Sequence, residues 1–547
     1  MKRLKKTIWI VVPLALLGLA FKAKQEYNNK QFEINKNIEL FANTYKELNA
    51  YYVDDIDPGG LMRKGLEAMV GSLDPFTNYI AESDIEGYRL IQEGRYFGIG
   101  AQSKPMNDYL TITELYQGQP ADEAGLKVGD QILSVDGRSA KGKTQEELDA
   151  ILQGFPGTEV SITVRRPGVS APVKLTLTRG EVDVPNVPYS GLIGEDDIAY
   201  VNLSTFTQRA GSNVANALRD LKLENPDLKG MVLDLRGNGG GLLSEAVNLC
   251  NVFIPQDEIV VTTKGKLRDW DRSFRTRRAA IDGDIPLVVL INDRSASASE
   301  IVSGVMQDYD RGVLIGQRSY GKGLVQNTKD IGYNAKVKLT TAKYYIPSGR
   351  CIQSVEYEDG EPVDIPDDQR AVFKTRNGRT VLDGGGVAPD IKLNRTDNIP
   401  VLRSLIENDL IFDFVTEYST QTTLPDTVID LRFTDFDAFL AFLDGKDVRY
   451  ETESEALLDA LKAKAAEEGY RVDAQLAQLE QRVKEEQMDV IKANEKEIID
   501  LIEKEIAGRF FYQEGKVRIG LRNDEEVQEA IRLLNDLNRY QAILKNG

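Results

Sequence analysis

The chain of 547 residues contains no histidine and only two cysteines, Cys250 and Cys351. A Ser-His-Asp triad, a Cys-His dyad and a metal centre built on histidine are therefore excluded, and so are thiolate zinc clusters and disulfide frameworks. Any general base must be a lysine, an aspartate, a glutamate, a tyrosine or a terminal amine. We expect neither a metal nor another cofactor. Whether the two cysteines pair stays open, because the sequence does not give the distance between them.

The chain also lacks an excess of positive charge. Its 68 lysines and arginines face 86 acidic residues, which gives a net charge of −18. Proteins grip a phosphate backbone with clustered positive charge, so we expect no nucleic-acid partner. The length exceeds what one hydrophobic core supports and predicts three or four domains.

The amino terminus has the pattern of a targeting segment. An uncharged, mostly apolar run extends from Thr7 to Phe21 and follows the basic residues Lys2, Arg3, Lys5 and Lys6. This run is shorter than the roughly 20 residues that a spanning helix needs, and it is typical of a secretory signal. We expect residues 1–24 to be a signal peptide or, if uncleaved, a membrane anchor, with the rest exported to the periplasm or cell envelope. An ordinary buried helix is the alternative.

The spacing of apolar residues divides the remaining chain into regions of different character. Residues 25–94 read as helical, residues 95–180 as short β-runs between glycine turns, residues 181–395 as alternating strands and helices, and residues 396–547 as helical again. Alternation of strands and helices predicts a sheet covered by helices. The expected fold class is therefore multidomain α+β.

Individual elements follow from the same spacing. In the first region Ile34, Ile38, Phe41 and Tyr45 lie on one helical face, and Gly59-Gly60 and Asp74-Pro75 are expected breaks. Thr144 with Glu147 predicts a capping box at the start of a helix that reaches Leu152. The expected strands are Leu110 to Leu115, Gln131 to Val135, Val160 to Val164, Val173 to Leu177, Ile198 to Leu203, Gly230 to Leu235, Leu287 to Ile291 and Val313 to Ile315. Val472, Leu476, Leu479 and Val483 form an apolar stripe, which favours a packed amphipathic helix over a partner or dimer interface.

A glycine cluster after the strand ending at Leu235 is the first segment suited to chemistry. Gly237, Gly239, Gly240 and Gly241 precede a helical stretch, so backbone N–H groups at a helix start are exposed to an anion or an oxyanion. A dinucleotide site is disfavoured, because Leu242 stands where the third glycine of G-x-G-x-x-G belongs. A plain tight turn remains the alternative.

The second segment is the serine cluster from Ser295 to Glu300. A serine at a strand-to-helix junction presents its hydroxyl to the helix dipole and to free N–H groups. Ser297 with Glu300 also matches a capping box, and for this segment alone capping is the favoured interpretation.

The third segment, Gly316 to Gly323, nearly matches a phosphate-binding loop. Gly323 stands at the Ser/Thr position of that motif, and Leu324 to Gln326 reads as a strand where a helix is required. Nucleotide binding is therefore disfavoured, and Lys322 between two glycines is left without a structural explanation.

Together the segments suggest one mechanism. Without histidine, a serine hydroxyl can be activated by a neutral lysine, whose pKa must fall from about 10.4 through burial. Lys322 is the candidate base, and Gln326 is placed to hold its amine. The backbone N–H groups of Gly240 and Ala298 are the candidate oxyanion hole.

These segments, in this order, resemble the carboxyl-terminal processing, or tail-specific, serine protease family. The resemblance extends from Tyr51 to Lys392 and rests on Leu233 to Gly240, Ser295 to Ile301, Tyr320 to Gln326, Leu339 to Tyr345 and Gly386 to Asp390. It implies that Ser297 is the nucleophile of a Ser-Lys endopeptidase acting through an acyl-enzyme, with Lys322 as base, Gln326 in support and Asp308 as structural support. It also implies a crotonase-like core of ββα units over residues 181–395.

The same family carries a PDZ domain, which residues 95–180 fit. By resemblance, Phe97, Gly98, Ile99 and Gly100 form the loop that receives a chain-terminal carboxylate, and the tail adds as an extra strand. The implied partners are proteins or peptides with unstructured apolar carboxyl termini. A small β domain without a ligand is the alternative. Residues 396–547 have no assigned role, and a homo-oligomer through these helices stays open.

Two other functions remain to be weighed against an endopeptidase. One is a non-catalytic PDZ scaffold that only gathers protein tails, and intact Ser297 and Lys322 disfavour it. The other is a crotonase-like enzyme acting on acyl thioesters of coenzyme A, which the export signal disfavours. An exported endopeptidase that captures tails is the favoured interpretation.

Overall fold

The computed structural model describes residues 29–195, 197–353, 357–358, 361–362, 366–393, 399–422, 426–444, 446 and 453–545. The expected signal peptide or anchor, residues 1–24, lies outside the described residues. Within the described ranges, none of the helices combines the length and the apolar character needed to cross a membrane. Both cysteines are free, so they do not pair with each other.

The amino-terminal region is less purely helical than expected. Its described α-helices and strands are α1 (residues 29–51), α2 (Pro58–Gly71), β1 (Asn78–Ile80) and α3 (Ile85–Glu93), and β2 (Arg95–Gly98) opens the second region. The predicted face of α1 is largely exposed, with Ile38 at 62%. Gly59 and Gly60 do not separate helices, because they lie in the first turn of α2, where the Asp57 carboxylate accepts both N–H groups.

The second region is a small β domain. Its described elements are β3 (Ala101–Met106), β4 (Tyr109–Leu115), α4 (Pro120–Glu123), β5 (Gln131–Val135), β6 (Arg138–Ser139), α5 (Gln145–Leu152), β7 (Glu159–Arg165), β8 (Val173–Thr178) and β9 (Gly180–Asp183). The strands pair in the order β3-β4-β5-β7-β8, with β6 on β5, so β3 is an edge strand. The predicted strands and the Thr144–Glu147 capping box are confirmed.

The third region contains two large sheets and two short two-stranded ones. Its described elements are β10 (Tyr189–Ile193), β11 (Ile198–Asn202), α6 (Ala210–Glu224), β12 (Gly230–Asp234), α7 (Leu243–Phe253), β13 (Ile259–Gly265), β14 (Arg272–Arg275), β15 (Leu287–Ile291), α8 (Ala298–Asp308), β16 (Val313–Gly316), β17 (Leu324–Gly332), β18 (Ala335–Tyr345), β19 (Tyr357–Glu358), β20 (Glu361–Pro362), β21 (Val372–Lys374), β22 (Thr380–Leu382) and β23 (Ile391–Lys392). One sheet has the order β10-β11-β12-β15-β16-β23 and is parallel except for β10. The other contains β1-β18-β13-β14, with β17 on β18, so the amino-terminal region contributes a strand to it.

The carboxyl-terminal region is helical, as predicted. Its described helices are α9 (Pro400–Glu407), α10 (Leu410–Gln421), α11 (Phe436–Leu443), α12 (Glu453–Glu467), α13 (Asp473–Ala493), α14 (Glu495–Phe510), α15 (Tyr512–Gly520), α16 (Glu525–Asn535) and α17 (Leu537–Lys545). Helices α9 to α11, α14 and α15, with the end of α13, share one apolar core. The expected multidomain α+β architecture is confirmed.

The last two helices complete the core of the third region. Neighbouring residues of a strand point to opposite faces of its sheet. Val201 and Leu233 pack with α6, α7 and α8 on one face, whereas Tyr200 and Val232 pack on the other face with α16 and α17. The mostly parallel sheet is thus covered on both sides, as such sheets require.

The carboxyl-terminal region also docks on the β domain. The Tyr512 hydroxyl donates to the Asp122 carboxylate over 2.8 Å, and the ring packs against the core of that domain. Lys104 forms an ion pair with Asp409. Helix α15 therefore begins at the β domain and leads toward the third region.

Candidate functional site

Ser297 lies where the chain turns from the loop after β15 into α8. Its backbone φ is 56° and its ψ is −110°, a combination that residues other than glycine rarely adopt. Every residue of α8 that follows is buried. A strained residue held by a fully packed helix is typical of a functional position, and the serine stays partly accessible.

The glycine cluster lies directly against this serine. A Cβ atom placed on Gly240 would lie 2.8 Å from Ser297 Cβ and 2.9 Å from Ala298 N. Gly240 also has a φ of 100°. Only glycine allows both this conformation and this approach, so the two predicted oxyanion residues are brought together.

The N–H groups of Gly240 and Ala298 differ, however, in whether they already have an acceptor. The Gly240 N–H donates to the Asn238 side-chain oxygen over 2.9 Å. The Ala298 N–H belongs to the first turn of α8 and so has no acceptor within its own helix. Ala298 is therefore better placed than Gly240 to donate to an oxyanion in this conformation.

Asn238, to which the sequence analysis assigned no role, joins the glycine cluster to α8. Its backbone oxygen accepts the Ala296 N–H over 3.0 Å and the Ser299 hydroxyl over 2.8 Å. Its side-chain nitrogen donates to the Leu203 carbonyl over 2.7 Å. The side chain is fully buried, so these direct contacts fix the separation of the two segments.

Lys322 lies in the loop between β16 and β17. Its Nζ is 4.2 Å from the centre of the Phe76 ring, which the amino-terminal region supplies. The pKa of Lys322 is lowered to about 8, chiefly by burial and also by the nearby positive charge of Lys338. The carboxylates of Glu300 and Asp74 act in the opposite direction. About a tenth of such an amine is neutral at pH 7, which is far more than for an ordinary lysine.

Glu300 connects the serine segment to the lysine segment. Its buried carboxylate accepts the N–H groups of Ser297 and Lys322 on one oxygen, each over 2.8 Å. The other oxygen accepts the Gly321 N–H over 2.7 Å and the Ser319 hydroxyl. The sequence predicted the Ser297 contact as part of a helix cap. It did not predict that the same carboxylate would hold the lysine loop.

Tyr344 connects the same two segments from β18. Its hydroxyl lies 3.0 Å from the Ser297 carbonyl oxygen and within hydrogen-bond distance of the Lys322 carbonyl oxygen. The ring is buried. Backbone groups of Ser297 and Lys322 therefore share two side-chain partners.

Gln326 lies on β17, close to the lysine loop. Among the described residues, its side-chain nitrogen donates to the Thr340 hydroxyl over 3.2 Å rather than contacting the Lys322 amine. Thr340 in turn donates to Asp74 over 3.2 Å. The amide of Gln326 is thus oriented by a short polar chain that the sequence did not indicate.

Asp308 lies at the other end of α8 from Ser297. Its carboxylate forms an ion pair with Arg350 at 2.9 Å and accepts the Ser348 N–H over 2.9 Å. Burial raises the pKa of Asp308, and Arg350 opposes this shift. These contacts are structural, as the sequence analysis expected.

The predicted tail-binding residues lie at the entrance to edge strand β3. Phe97 and Gly98 belong to β2, which pairs with β9, and Ile99 and Gly100 lead into β3. The Phe97 N–H already donates to the Glu86 carboxylate over 2.9 Å. Ile99 is buried in the core of the β domain.

Comparisons with known proteins agree with this layout. The model of "Peptidase family S41" matches residues 197–362, a PDZ-domain model matches residues 111–166, and "Probable PDZ-protease, C-terminal helical domain" matches residues 401–534. A carboxy-terminal-processing protease of Bartonella bacilliformis is 33% identical over 355 residues, covering 64% of this chain and 81% of that protein. A probable CtpA-like serine protease of Staphylococcus aureus is 32% identical over 366 residues, covering 66% of this chain and 71% of its own length.

Among solved structures, the photosystem II D1 C-terminal processing protease is 26% identical. The match covers 65% of this chain and 92% of that one with a TM-score of 0.35, which is too low to compare domain arrangements. The sequence relatives and the family models establish the family without it. The chain belongs to the carboxy-terminal-processing proteases, serine peptidases of family S41 that carry a PDZ domain.

Proposed function

We propose that this chain is an exported endopeptidase that binds protein carboxyl termini and cleaves peptide bonds with Ser297 and Lys322. The observation that supports this most is the pair of side chains, Glu300 and Tyr344, that contact the backbone of both residues. A lysine with a lowered pKa, joined through shared partners to the backbone of a partly accessible serine, suits a Ser-Lys mechanism.

The proposed reaction proceeds through an acyl-enzyme. Ser297 Oγ attacks the scissile carbonyl carbon while its proton passes to the neutral Lys322 amine. The Ala298 N–H donates a hydrogen bond to the oxyanion. The Gly240 N–H can donate a second one only if it releases the Asn238 side-chain oxygen. Collapse breaks the C–N bond, and the Lys322 ammonium returns the proton to the leaving amine. A water molecule then attacks the ester while Lys322 takes its proton, and the ester C–O bond breaks as Lys322 returns that proton to Ser297 Oγ, which releases the new carboxyl terminus.

Gln326 has a supporting role in this proposal. Its side-chain nitrogen is engaged by Thr340, which leaves the side-chain oxygen as the acceptor for the Lys322 amine. A neutral amide orients an amine without stabilising the ammonium form as strongly as a carboxylate would. The pKa of Lys322 therefore stays low.

The PDZ domain supplies the proposed capture of the substrate tail. Edge strand β3 has one unpaired side, and α5 lies beside it, with Gln145 donating to Ser103 over 3.0 Å. A tail would add to β3 as a further strand, with its carboxylate on the N–H groups of Gly98, Ile99 and Gly100. The Phe97 N–H is not counted, since Glu86 holds it.

Export to the periplasm or cell envelope is part of the proposal and rests on residues 1–24. That segment would act as a cleaved signal or as a membrane anchor. Assembly into a homo-oligomer through the carboxyl-terminal helices stays open.

Substitutions at the two reacting residues test the proposal. We expect cleavage of an unstructured protein with an apolar tail to fall by about 10²- to 10⁴-fold in each of Ser297→Ala, Lys322→Ala and Lys322→Arg. The arginine variant should fail because guanidinium does not deprotonate. Fragment masses give the cleavage, and circular dichroism checks the fold. Ser303→Ala in the same helix and Lys343→Ala on the exposed side of β18 are matched controls.

Full activity of either Ser297→Ala or Lys322→Ala would contradict the mechanism. Amidation of the substrate's carboxyl terminus should raise KM, because it removes the charge that the PDZ loop receives. Tail binding by the wild type without turnover would instead indicate a non-catalytic scaffold.

A further inference from the structure

Arg236, which directly precedes the glycine cluster, is held by carboxylates of the carboxyl-terminal region. One terminal nitrogen of its guanidinium lies 2.7 Å from Glu526 and 2.8 Å from Asp524. The rest of the group binds Asp234 at the end of β12, with contacts of 2.6 Å and 3.0 Å. The base of the loop that carries Gly240 is therefore fixed from both sides.

The same Glu526 carboxylate reaches the base of the lysine loop. Its second oxygen accepts a hydrogen bond from the Gln317 side chain. Gln317 follows β16 directly, and its N–H donates to the Ile291 carbonyl at the end of β15 over 3.0 Å. One side chain thus joins the starting points of the loops that carry Gly240 and Lys322.

The side chains that make these contacts are largely buried, and Glu526 lies on a helix that is packed against the sheet. The side chains of Glu526 and Arg236 are 12% and 19% exposed. Helix α16 is anchored to the sheet by the buried residues Val527, Ala530, Leu533 and Leu534. Removal of one partner from such an ion pair leaves the other charge poorly solvated, so the loops are expected to shift.

We propose that Glu526 is a positioning residue for peptide hydrolysis. Through Arg236 and Gln317 it holds the glycine loop and the lysine loop at the separation that lets Ala298, Gly240 and Lys322 surround Ser297. Glu526 itself touches none of these four residues and no reacting atom. The inference rests on the proposed function, and it assigns a catalytic contribution to the helical region that had none.

The first test separates turnover from binding. Glu526→Gln keeps the shape of the side chain and loses its charge. We expect kcat to fall about 10- to 100-fold, because small misplacements of reacting groups are costly, while KM for a tailed substrate stays within twofold. Glu529→Gln on the same helix is the matched control, since Glu529 pairs with Arg532 and Arg539 instead.

The second test asks whether the contact pair acts as a unit. Arg236→Gln should lower kcat at least as much, because it also loses the contacts with Asp234 and Asp524, and the losses in the double variant should be less than additive, because both changes break the Arg236–Glu526 contact. Melting temperatures of all variants exclude global unfolding as the cause. In a Ser297→Ala background, Glu526→Gln should leave the affinity for a tail peptide unchanged.

A kcat for Glu526→Gln within twofold of the wild type overturns the inference, and so does an equal loss in Glu529→Gln or fully additive losses in the double variant. Wild type and Ser297→Ala run in the same assay. If the wild type cleaves and Ser297→Ala does not, the proposed function stands and the result bears on Glu526 alone. A wild type that does not cleave overturns both proposals.

Discussion

The acid–base properties of one lysine depend on residues from three separate parts of the chain. Burial is the largest cause of the lowered pKa of Lys322, and the charge of Lys338 on β18 adds to it. Phe76 covers the amine from the amino-terminal region. The sequence analysis required burial to lower this pKa, but it did not reveal which residues bury the amine.

Removal of the second positive charge should change the pH profile. In Lys338→Met, the pKa of Lys322 should rise above about 8, because a like charge that disfavours the ammonium is gone. In the proposed mechanism Lys322 acts when neutral, so the ascending limb of log kcat/KM against pH should move to higher pH. Lys343→Met, on the exposed side of the same strand, should leave the limb in place. A limb that moves to lower pH in Lys338→Met would contradict this electrostatic account.

At the scale of elements, the site is the meeting point of a helix start, two loops and a strand. The strands β12, β15 and β16 and the helix α8 were predictable, because apolar runs and the strand-to-helix switch are local patterns. Strand β1 was not predictable. Its Asn78–Ile80 segment is short and is a strand only because it pairs with Lys336, Val337 and Lys338, far along the chain.

Tyr344 tests whether β18 holds this meeting point together. Tyr344→Phe removes a hydroxyl that serves two carbonyl groups at a buried position. The expected cost is about 1–3 kcal/mol in the free energy of unfolding, because buried acceptors lose their donor. Urea denaturation measures this, and kcat should fall as well. Tyr345→Phe, the neighbour on the opposite face of the strand, is the control and should cost less.

At the scale of the whole molecule, the carboxyl-terminal helices are part of the peptidase rather than an appendage. They cover the second face of the six-stranded sheet, reach Arg236 beside the glycine cluster, and contact the PDZ domain through Tyr512. The sequence showed that these helices are amphipathic. Which surface they cover depends on the fold of residues more than 100 positions earlier.

Two leucines near the end of the chain provide a matched stability test. Leu534 is 1% exposed and packs against Gly230 of β12, whereas Leu537 is 45% exposed. Leu534→Ala should reduce the free energy of unfolding of the peptidase core by about 2–5 kcal/mol through a cavity. Leu537→Ala should change it by less than about 0.5 kcal/mol. If Leu534→Ala and Leu537→Ala lowered the stability equally, in both thermal and chemical denaturation, α16 would not belong to this core.

The sequence by itself determined the chemistry that is available to this protein. The absence of histidine, the serine at a strand-to-helix junction and the lysine between glycines are local features, and each can be read within a few residues. Only the tertiary structure decided which buried carboxylate joins the serine to the lysine, what lowers the pKa of that lysine, and how the last helices support both loops. The physical reason is that these properties depend on distances between residues far apart in the chain, and such distances arise only when the surfaces pack.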